Sequence, residues 1–305
     1  MERAYKFRLY PTIKQQHFIQ RTFGCCRFVY NHYLSEKIRC YKENDSYLSY
    51  NACAKDLTCL KKRHQWLKDI DSTALQSSLK DLENAYQLYF RRLQTSHPSQ
   101  YPRFKNKHSL KQSYRSIKVG TNIMLSESAI KFPKLGWVKC RVSREIEGRI
   151  ISVTVSRTPS GQYYASVLCT ELEASTPVLS GNTVTICPQG DIIAESSSGK
   201  RYVIESPEDS DTVVLSHLCK QLSRKPKDSN RRKKAYRKMA NKREHLHNKE
   251  IDVIHKFTTC LIMENDIIIL KDTSDFPYSQ MELRRQLKYK CEKNGKTLII
   301  EDEEI

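Results

Sequence analysis

Two residue types in this sequence have the number and placement to do chemistry: cysteines and clustered cations. There are eleven cysteines, an odd count, and no Cys-x-x-Cys pair. Cys25 and Cys26 are adjacent, whereas zinc-binding thiolate pairs are separated by two to four residues. No metal site is therefore expected, and the thiols read as reduced, small apolar residues. The cations point elsewhere. Lys and Arg number 53 against 34 Asp and Glu, a net charge of +19 with a pI of about 9.4. Between residues 220 and 256 there are fourteen Lys/Arg against four acids. Tyr101-Pro-Arg-Phe-Lys-Asn-Lys107 interleaves aromatics with cations. Cations hold phosphates while aromatic faces stack on unpaired bases, so this balance points to nucleic acid before anionic lipid.

The elements that must carry these groups can be placed by periodicity. At roughly 150 residues per domain, 305 residues predict about two domains. No apolar run reaches the ~18 residues of a membrane span, and the N-terminus, Met-Glu-Arg-Ala-Tyr-Lys-Phe-Arg, lacks the apolar core of a signal peptide. The chain is expected in the cytoplasm, associated with the nucleoid, with no membrane partner. Residues 5–10 alternate as a half-buried strand, with Tyr5, Phe7 and Leu9 inward. Pro11 ends the strand, and Thr12 with Gln15 forms a capping box that opens a helix reaching about Tyr41. A second helix is expected over 50–62. A third follows Asp71-Ser72, with Leu75, Leu79, Leu82, Tyr86 and Tyr89 as its buried stripe and Gln76, Lys80, Asn84, Arg91 and Arg92 on its polar face.

From residue 101 the pattern turns to short strands near 112–119, 129–133, 136–142, 150–157 and 162–170, with Pro159-Ser-Gly161 as a hairpin turn. A polar stretch over 173–182 reads as a linker. After it come strands near 183–187, 191–195 and 201–204, helices near 209–223 and 230–263, a buried strand over 267–270, a helix near 280–293 and a strand over 297–300. The end of the chain, Glu301-Asp-Glu-Glu304, is acidic and reads as solvated.

Several phrases are more specific than composition. They are Tyr5-Lys-Phe-Arg-Leu-Tyr-Pro11, Phe28-Val-Tyr-Asn-His32, Leu75-Gln76, Tyr101-Pro-Arg-Phe-Lys105, Phe132-Pro-Lys-Leu-Gly-Trp-Val138, Ser152-Val-Thr-Val-Ser-Arg157 and Leu222-Ser-Arg-Lys225. In this order they resemble the TnpB family, transposon-encoded RNA-guided DNA nucleases related to type V CRISPR effectors. The resemblance implies an α+β, multi-domain chain. A wedge β-barrel (1–10 and 101–172) would hold an inserted helical recognition lobe (11–100). A truncated RuvC-like domain of RNase H fold (181–305), lacking the zinc ribbon, would follow.

The departures from that pattern carry the functional expectation. The family nuclease uses three carboxylates to hold two divalent metals that clamp the attacking and leaving oxygens. In Val184-Thr-Ile-Cys-Pro-Gln-Gly190, Cys187 takes the place of the first Asp. In Asp266-Ile-Ile-Ile-Leu-Lys271, Lys271 takes the place of the Glu. The third Asp and the four-Cys ribbon would fall beyond the last residue. A thiol is a soft, poor ligand for Mg²⁺, and an ammonium competes with the ion for its place. Asp272 neighbours Lys271 but points to the opposite face of a strand, and Asp191 would have to cross a turn. Loss of nuclease activity is therefore expected, with no metal cofactor.

That combination resembles the nuclease-dead TnpB-like repressors (TldR proteins), which use a guide RNA to occupy DNA and block transcription. The implied partners are a guide non-coding RNA, one protein per RNA, and a double-stranded DNA target beside a short motif. Carried across from the family, the motif-contacting positions are Tyr50, Ser72, Thr73 and Gln76, with Val119 and Gly120. Tyr50 and Gln76 keep the family residue type, Ser72 replaces a Lys, and Val119 and Gly120 replace polar residues. Gln pairs bidentately with adenine. The candidate RNA contacts are Lys6, Arg8, Tyr101, Arg103, Phe104 and Lys105, together with Arg231, Arg232, Lys233, Lys234, Arg237 and Lys238. The competing readings are a catalytically dead transposon remnant and a competitor of an active nuclease or transposase.

Overall fold

The structure, a computed structural model, describes residues 2–95, 100–109, 111–170, 181–189, 191–204, 209–272 and 278–302. The chain divides into two compact units, residues 1–172 and 173–305. Among the described residues no helix is long and apolar enough to cross a membrane.

In the first unit the alternation at the N-terminus becomes β1 (Glu2–Leu9), with Tyr5, Phe7 and Leu9 buried. Thr12 then caps α1 (Ile13–Asn44). Its hydroxyl accepts from the Gln15 amide at 3.3 Å, and the Gln15 side chain accepts in return from the Thr12 amide at 3.0 Å. Both orphan donors are thereby satisfied. The helix runs past Tyr41 and ends at Asp45, which takes a left-handed φ of 45°. Ser49 caps α2 (Tyr50–Arg63), and Asp71 caps α3 (Ser72–Gln94). Leu75, Leu79, Leu82 and Tyr86 of the expected stripe of α3 are buried, packed with α1 and α2, whereas its last member, Tyr89, is only half-buried.

The strands are β2 (Gln112–Ile117), β3 (Met124–Leu125), β4 (Ala129–Phe132), β5 (Gly136–Arg141), β6 (Arg149–Arg157) and β7 (Tyr163–Thr170). They join β1 in a seven-stranded sheet of order β2-β6-β7-β1-β5-β4-β3. β1 pairs with β7 along its whole length and with β5 at its last two residues. The helical segment is thus an excursion between a central strand and the rest of its sheet. Among the described residues no β2–β3 pairing closes the ladder, so the expected barrel is an open sheet by its hydrogen bonds. The physical reason is that α1 and α3 pack on β2, and an edge covered by a helix needs no strand partner. β3, two residues long, carried no periodicity to predict.

In the second unit, β8 (Thr183–Gln189), β9 (Asp191–Ser196) and β10 (Arg201–Ile204) form an antiparallel meander. After α4 (Asp209–Ser223) and α5 (Asn230–Glu264), β11 (Ile267–Asp272) enters parallel to β8. After α6 (Tyr278–Asn294), β12 (Thr297–Asp302) enters parallel to β11. The order is β10-β9-β8-β11-β12. Val184, Ile186, Ile268 and Leu270 are fully buried beneath Ile254, Phe257 and Leu261 of α5 and Leu283 and Leu287 of α6. The linker expected over 173–182 lies, save its last two residues, outside the described residues, as do the last positions of the acidic end.

None of the eleven cysteines is paired. Burial pushes the Cys25, Cys53 and Cys291 thiols up to about 11, which keeps them protonated and unreactive. Lys290 of α6 is 7% exposed, and its ammonium donates to the His255 carbonyl at 2.8 Å and to the hydroxyls of Thr258 and Thr259. Burial, with repulsion from Arg285, lowers its pKa to about 8, against the opposing pull of Glu282.

Two predictions follow from this packing. Leu75→Ala should cost about 2–5 kcal/mol. Tryptophan fluorescence during urea unfolding should report the loss, because Trp66 and Trp137 both lie in the first unit. For Lys290, the unfolded chain holds a proton up to about pH 10.5 while the folded chain releases it near 8. Stability should therefore rise as pH climbs from 8 towards 10.5. Lys290→Met should remove that part of the slope in thermal melts taken across the window.

Candidate nucleic-acid interface

The positions expected to face duplex DNA are gathered in the first unit by one hydroxyl. Thr73 Oγ1 donates to Asp71 Oδ2 at 2.6 Å and accepts from the Ile117 amide at 3.1 Å. The first turn of α3 is thereby tied to the end of β2, two residues before the loop that carries Val119 and Gly120. Asn122 shapes that loop, accepting from the Val119 amide at 2.8 Å and donating to the Ile117 carbonyl at 3.0 Å. Gly120 sits at φ +56° with open space where a Cβ would point, so its requirement is the left-handed backbone. Val119 is 62% exposed. Gln76 is exposed, its side-chain amide without a hydrogen-bond partner among the described residues.

Two of these residues are not free readers. Thr73 has its hydroxyl committed both as donor and as acceptor, which makes it a positioning residue for this edge. Ser72 Oγ accepts from Lys61 Nζ at 3.0 Å. Tyr50 is half-buried at the start of α2, with the Lys80 ammonium 6.0 Å from its ring centroid. Lys80 lies one helical turn beyond Gln76, so the polar face of α3 is continuous with Tyr50.

The cations nearest the sheet are less available than the sequence indicated. Lys6 is exposed, with its ammonium 4.5 Å from the Tyr164 ring centroid. Arg8 is half-buried. It lies 5.4 Å from the same ring and 5.7 Å from Tyr10, and it donates to the side chains of Gln162 and Tyr164. Tyr101 bonds Tyr86 through their hydroxyls at 2.7 Å and packs edge-on against Tyr86 and Tyr89. Lys105 holds Asn31 through both backbone groups, and its ammonium lies 4.0 Å from the Tyr30 ring centroid. That placement accounts for a pKa lowered by burial although the residue as a whole is exposed. Arg103 and Phe104 project outward, Phe104 at 57% exposure. The partners Tyr164 and Gln162 were missed because a cross-strand neighbour 156 or 154 residues away is set by register alone.

In the second unit α5 separates its cations by role. Arg232 Nη1 donates to the Leu222 carbonyl at 3.0 Å and the Lys225 carbonyl at 2.8 Å. It closes the turn after α4, where orphan carbonyls at a helix end take up one nitrogen of its guanidinium. Lys233, Lys234, Arg237 and Lys238 instead line a shallow cleft of about 590 Å³, with Asn230 and Asn241 at its two ends. None of the four cations has a carboxylate partner among the described residues. Arg231 is exposed beside them. Their spacing of three to four residues places them on one face, about 6 Å per step, close to the separation of successive phosphates. The asparagines were not foreseen, although their i, i+11 spacing from one end of the cluster to the other was visible.

The second sheet brings together Cys187 and Lys271, the two positions at which the resemblance expects carboxylates. Ile186 and Leu270 are in register on β8 and β11. One residue further along these parallel strands stand Cys187, half-buried, and Lys271, exposed. Lys271 is in turn opposite Glu301 of β12. All three occupy the face away from α5 and α6, at the C-terminal ends of β8 and β11, where α/β sheets place their ligands. Asp272 follows Lys271 and pairs in register with Asp302. Asp191 stands opposite Gln189, beyond Cys187 on the returning strand. Among the described side chains no group of three or more His, Cys, Asp or Glu is arranged to hold a metal ion.

Comparison with known proteins gives these positions a family. Residues 1–46 match the model of the IS605 OrfB helix-turn-helix domain, although here that segment is β1 followed by one uninterrupted helix. Over 272 residues the chain is 35% identical to "Putative RNA-guided DNA endonuclease InsQ" of Escherichia coli K12, covering 88% of this chain and 65% of that protein. Over 324 residues it is 30% identical to a "Putative RNA-guided DNA endonuclease" of Streptomyces pristinaespiralis, covering 99% of this chain and 78% of that protein. The chain thus spans a little under two thirds of the length of the first of these relatives. Among solved structures, a Cas12f1–sgRNA–target DNA complex aligns over 99% of this chain and 89% of that one, at 9% identity and a TM-score of 0.46. With its N-terminal segment matched and nearly its whole length aligned to the Streptomyces protein, the chain belongs to the TnpB (IS605 OrfB) family.

Proposed function

We propose that this protein binds DNA under the direction of a guide RNA, does not cut it, and represses transcription by remaining on a guide-matched promoter site. The observation that carries the reading is that Cys187 and Lys271 each stand one residue beyond the last registered pair, Ile186 and Leu270, of two adjacent parallel strands. Divalent-metal nucleases need hard oxygen ligands there. A thiol beside an ammonium does not fit Mg²⁺, since one is soft and the other carries the same sign of charge as the ion. No hydrolytic step is therefore derived through a metal at this degenerate RuvC-like centre.

The binding surfaces remain suited to the task. Base pairing between guide and target reads the sequence, while the protein reads a short adjacent duplex motif. The face of α3 carrying Gln76, with Tyr50 and the Val119–Gly120 loop, supplies that contact. Exchange of one duplex for the other is close to balanced, so cations on the backbones decide whether the complex holds. The unpaired run on α5 supplies them for the guide RNA. A complex that does not cleave persists, and RNA polymerase meets it as an obstacle.

Two measurements check this reading. Tagged protein recovered from its own cells, with bound RNA and crosslinked DNA both sequenced, should carry one discrete RNA whose end matches a promoter-proximal DNA peak. Diffuse RNA with no DNA peak would leave a dead remnant, and cleavage of the matched duplex in Mg²⁺ would overturn the reading outright. For the α5 cleft, reversing Lys233, Lys234, Arg237 and Lys238 to Glu should weaken RNA binding and reduce the slope of log K against log salt by ~3. Arg232→Ala should leave that slope almost unchanged but destabilise the α4–α5 turn by about 1–3 kcal/mol.

A further inference from the structure

We propose that the cleft between the first turn of α2 and the middle of α3 receives base edges of duplex DNA and lengthens the motif the protein reads. This rests on the DNA-binding reading above and names residues that the family resemblance does not assign. The cleft measures about 360 Å³ and is lined by Tyr50, Asn51, Lys80, Glu83, Asn84 and Gln87, among others. Asn51, Asn84 and Gln87 are exposed, and their side-chain amides have no hydrogen-bond partner among the described residues. Glu83 does not give the cleft a free negative charge. Lys37 Nζ donates to one carboxylate oxygen at 3.0 Å, and the Tyr47 hydroxyl donates to the other at 2.6 Å. What remains available is three amides, one ammonium and an aromatic face.

Amides of this kind pair with the donor–acceptor edge that adenine presents in the major groove, and the ammonium suits a phosphate or a guanine edge. The geometry favours a B-form duplex over RNA. Gln76, Lys80, Asn84 and Gln87 fall at i, i+4, i+8 and i+11, one continuous face of α3. They span about 16 Å, near five base-pair steps of ~3.4 Å. An α-helix enters the major groove of B-DNA, whereas the deep, narrow major groove of A-form RNA does not admit one. Gln76 at one end and Gln87 at the other thus read successive positions, with Asn51 approaching from α2.

The test uses the protein–RNA complex recovered from cells. The probe is a pool of duplexes in which a fixed segment matching the recovered RNA is flanked by randomised base pairs. Bound and unbound DNA are sequenced for wild type and for Asn84→Ala, Gln87→Ala and Asn51→Ala. Wild type should select a motif. Asn84→Ala or Gln87→Ala should lower the preference at one or two positions by about ten-fold or more, with RNA content and melting temperature unchanged. If wild type selects a motif and all three variants select it equally well, the inference is overturned while the proposed function stands. If the variants lose RNA instead, the cleft serves RNA and the inference is also overturned. If wild type selects no motif, the proposed reading of DNA fails, and this inference fails with it.

Discussion

The surface proposed for DNA in the first unit is organised by one clasp, the hydroxyl of Thr73 held between Asp71 and the backbone of Ile117. Asp71 also caps α3 through the Thr73 amide at 3.1 Å, so one carboxylate fixes both the start of the helix and the rotamer that grips the sheet. A buried carboxylate is tolerable because these donors replace its water. Without the clasp, the polar face of α3 and the loop after β2 would be two independent surfaces. With it, Gln76 and the Val119–Gly120 loop stand at one edge, on elements that do not have to be ordered on binding.

Net charge alone overstates the surface available for nucleic acid. Lys37 is enclosed by Glu83, the Leu48 carbonyl and the rings of Tyr47 and Tyr86. Lys296 is paired with Asp266 in the second unit, both nearly buried. Lys290 and Arg232 donate to carbonyls and hydroxyls, and Lys105 leans on Tyr30. These cations organise the fold. Lys233, Lys234, Arg237 and Lys238 of α5, by contrast, have no carboxylate partner among the described residues and share one cleft. A cluster without carboxylate partners keeps its full attraction for phosphate, because no internal ion pair has to be broken first.

In the second unit the decisive feature is parallel pairing. β8 and β11 are more than seventy residues apart in sequence, yet their register fixes what stands beside what at the sheet's C-terminal end. Thiol, ammonium and the Glu301 position share one face there. The opposite face is a continuous apolar layer under α5 and α6. The helices thus secure the sheet from one side, while the chemistry of the other side is set by side chains that packing does not constrain.

The sequence by itself determined most of the elements, because their signals are local. The period of two in β1, the Thr12–Gln15 box, the stripe from Leu75 to Tyr86 and the turn at Pro159–Gly161 each depend on neighbours within a few residues. It also carried the family phrases, and with them Cys187 and Lys271 as exceptions. What only the tertiary structure decided is which polar groups are already spent. Thr73 and Arg232 each bond backbone groups that local sequence does not reveal, one 44 residues away and the other 7 and 10 residues away. Tyr101 and Arg8 are likewise committed to aromatic and amide neighbours across the fold. Hydrogen bonds and cross-strand contacts of this kind follow from register and packing, and no local periodicity encodes them. That is why the elements carrying the candidate residues were legible in the chain, and which of their donors are already engaged was not.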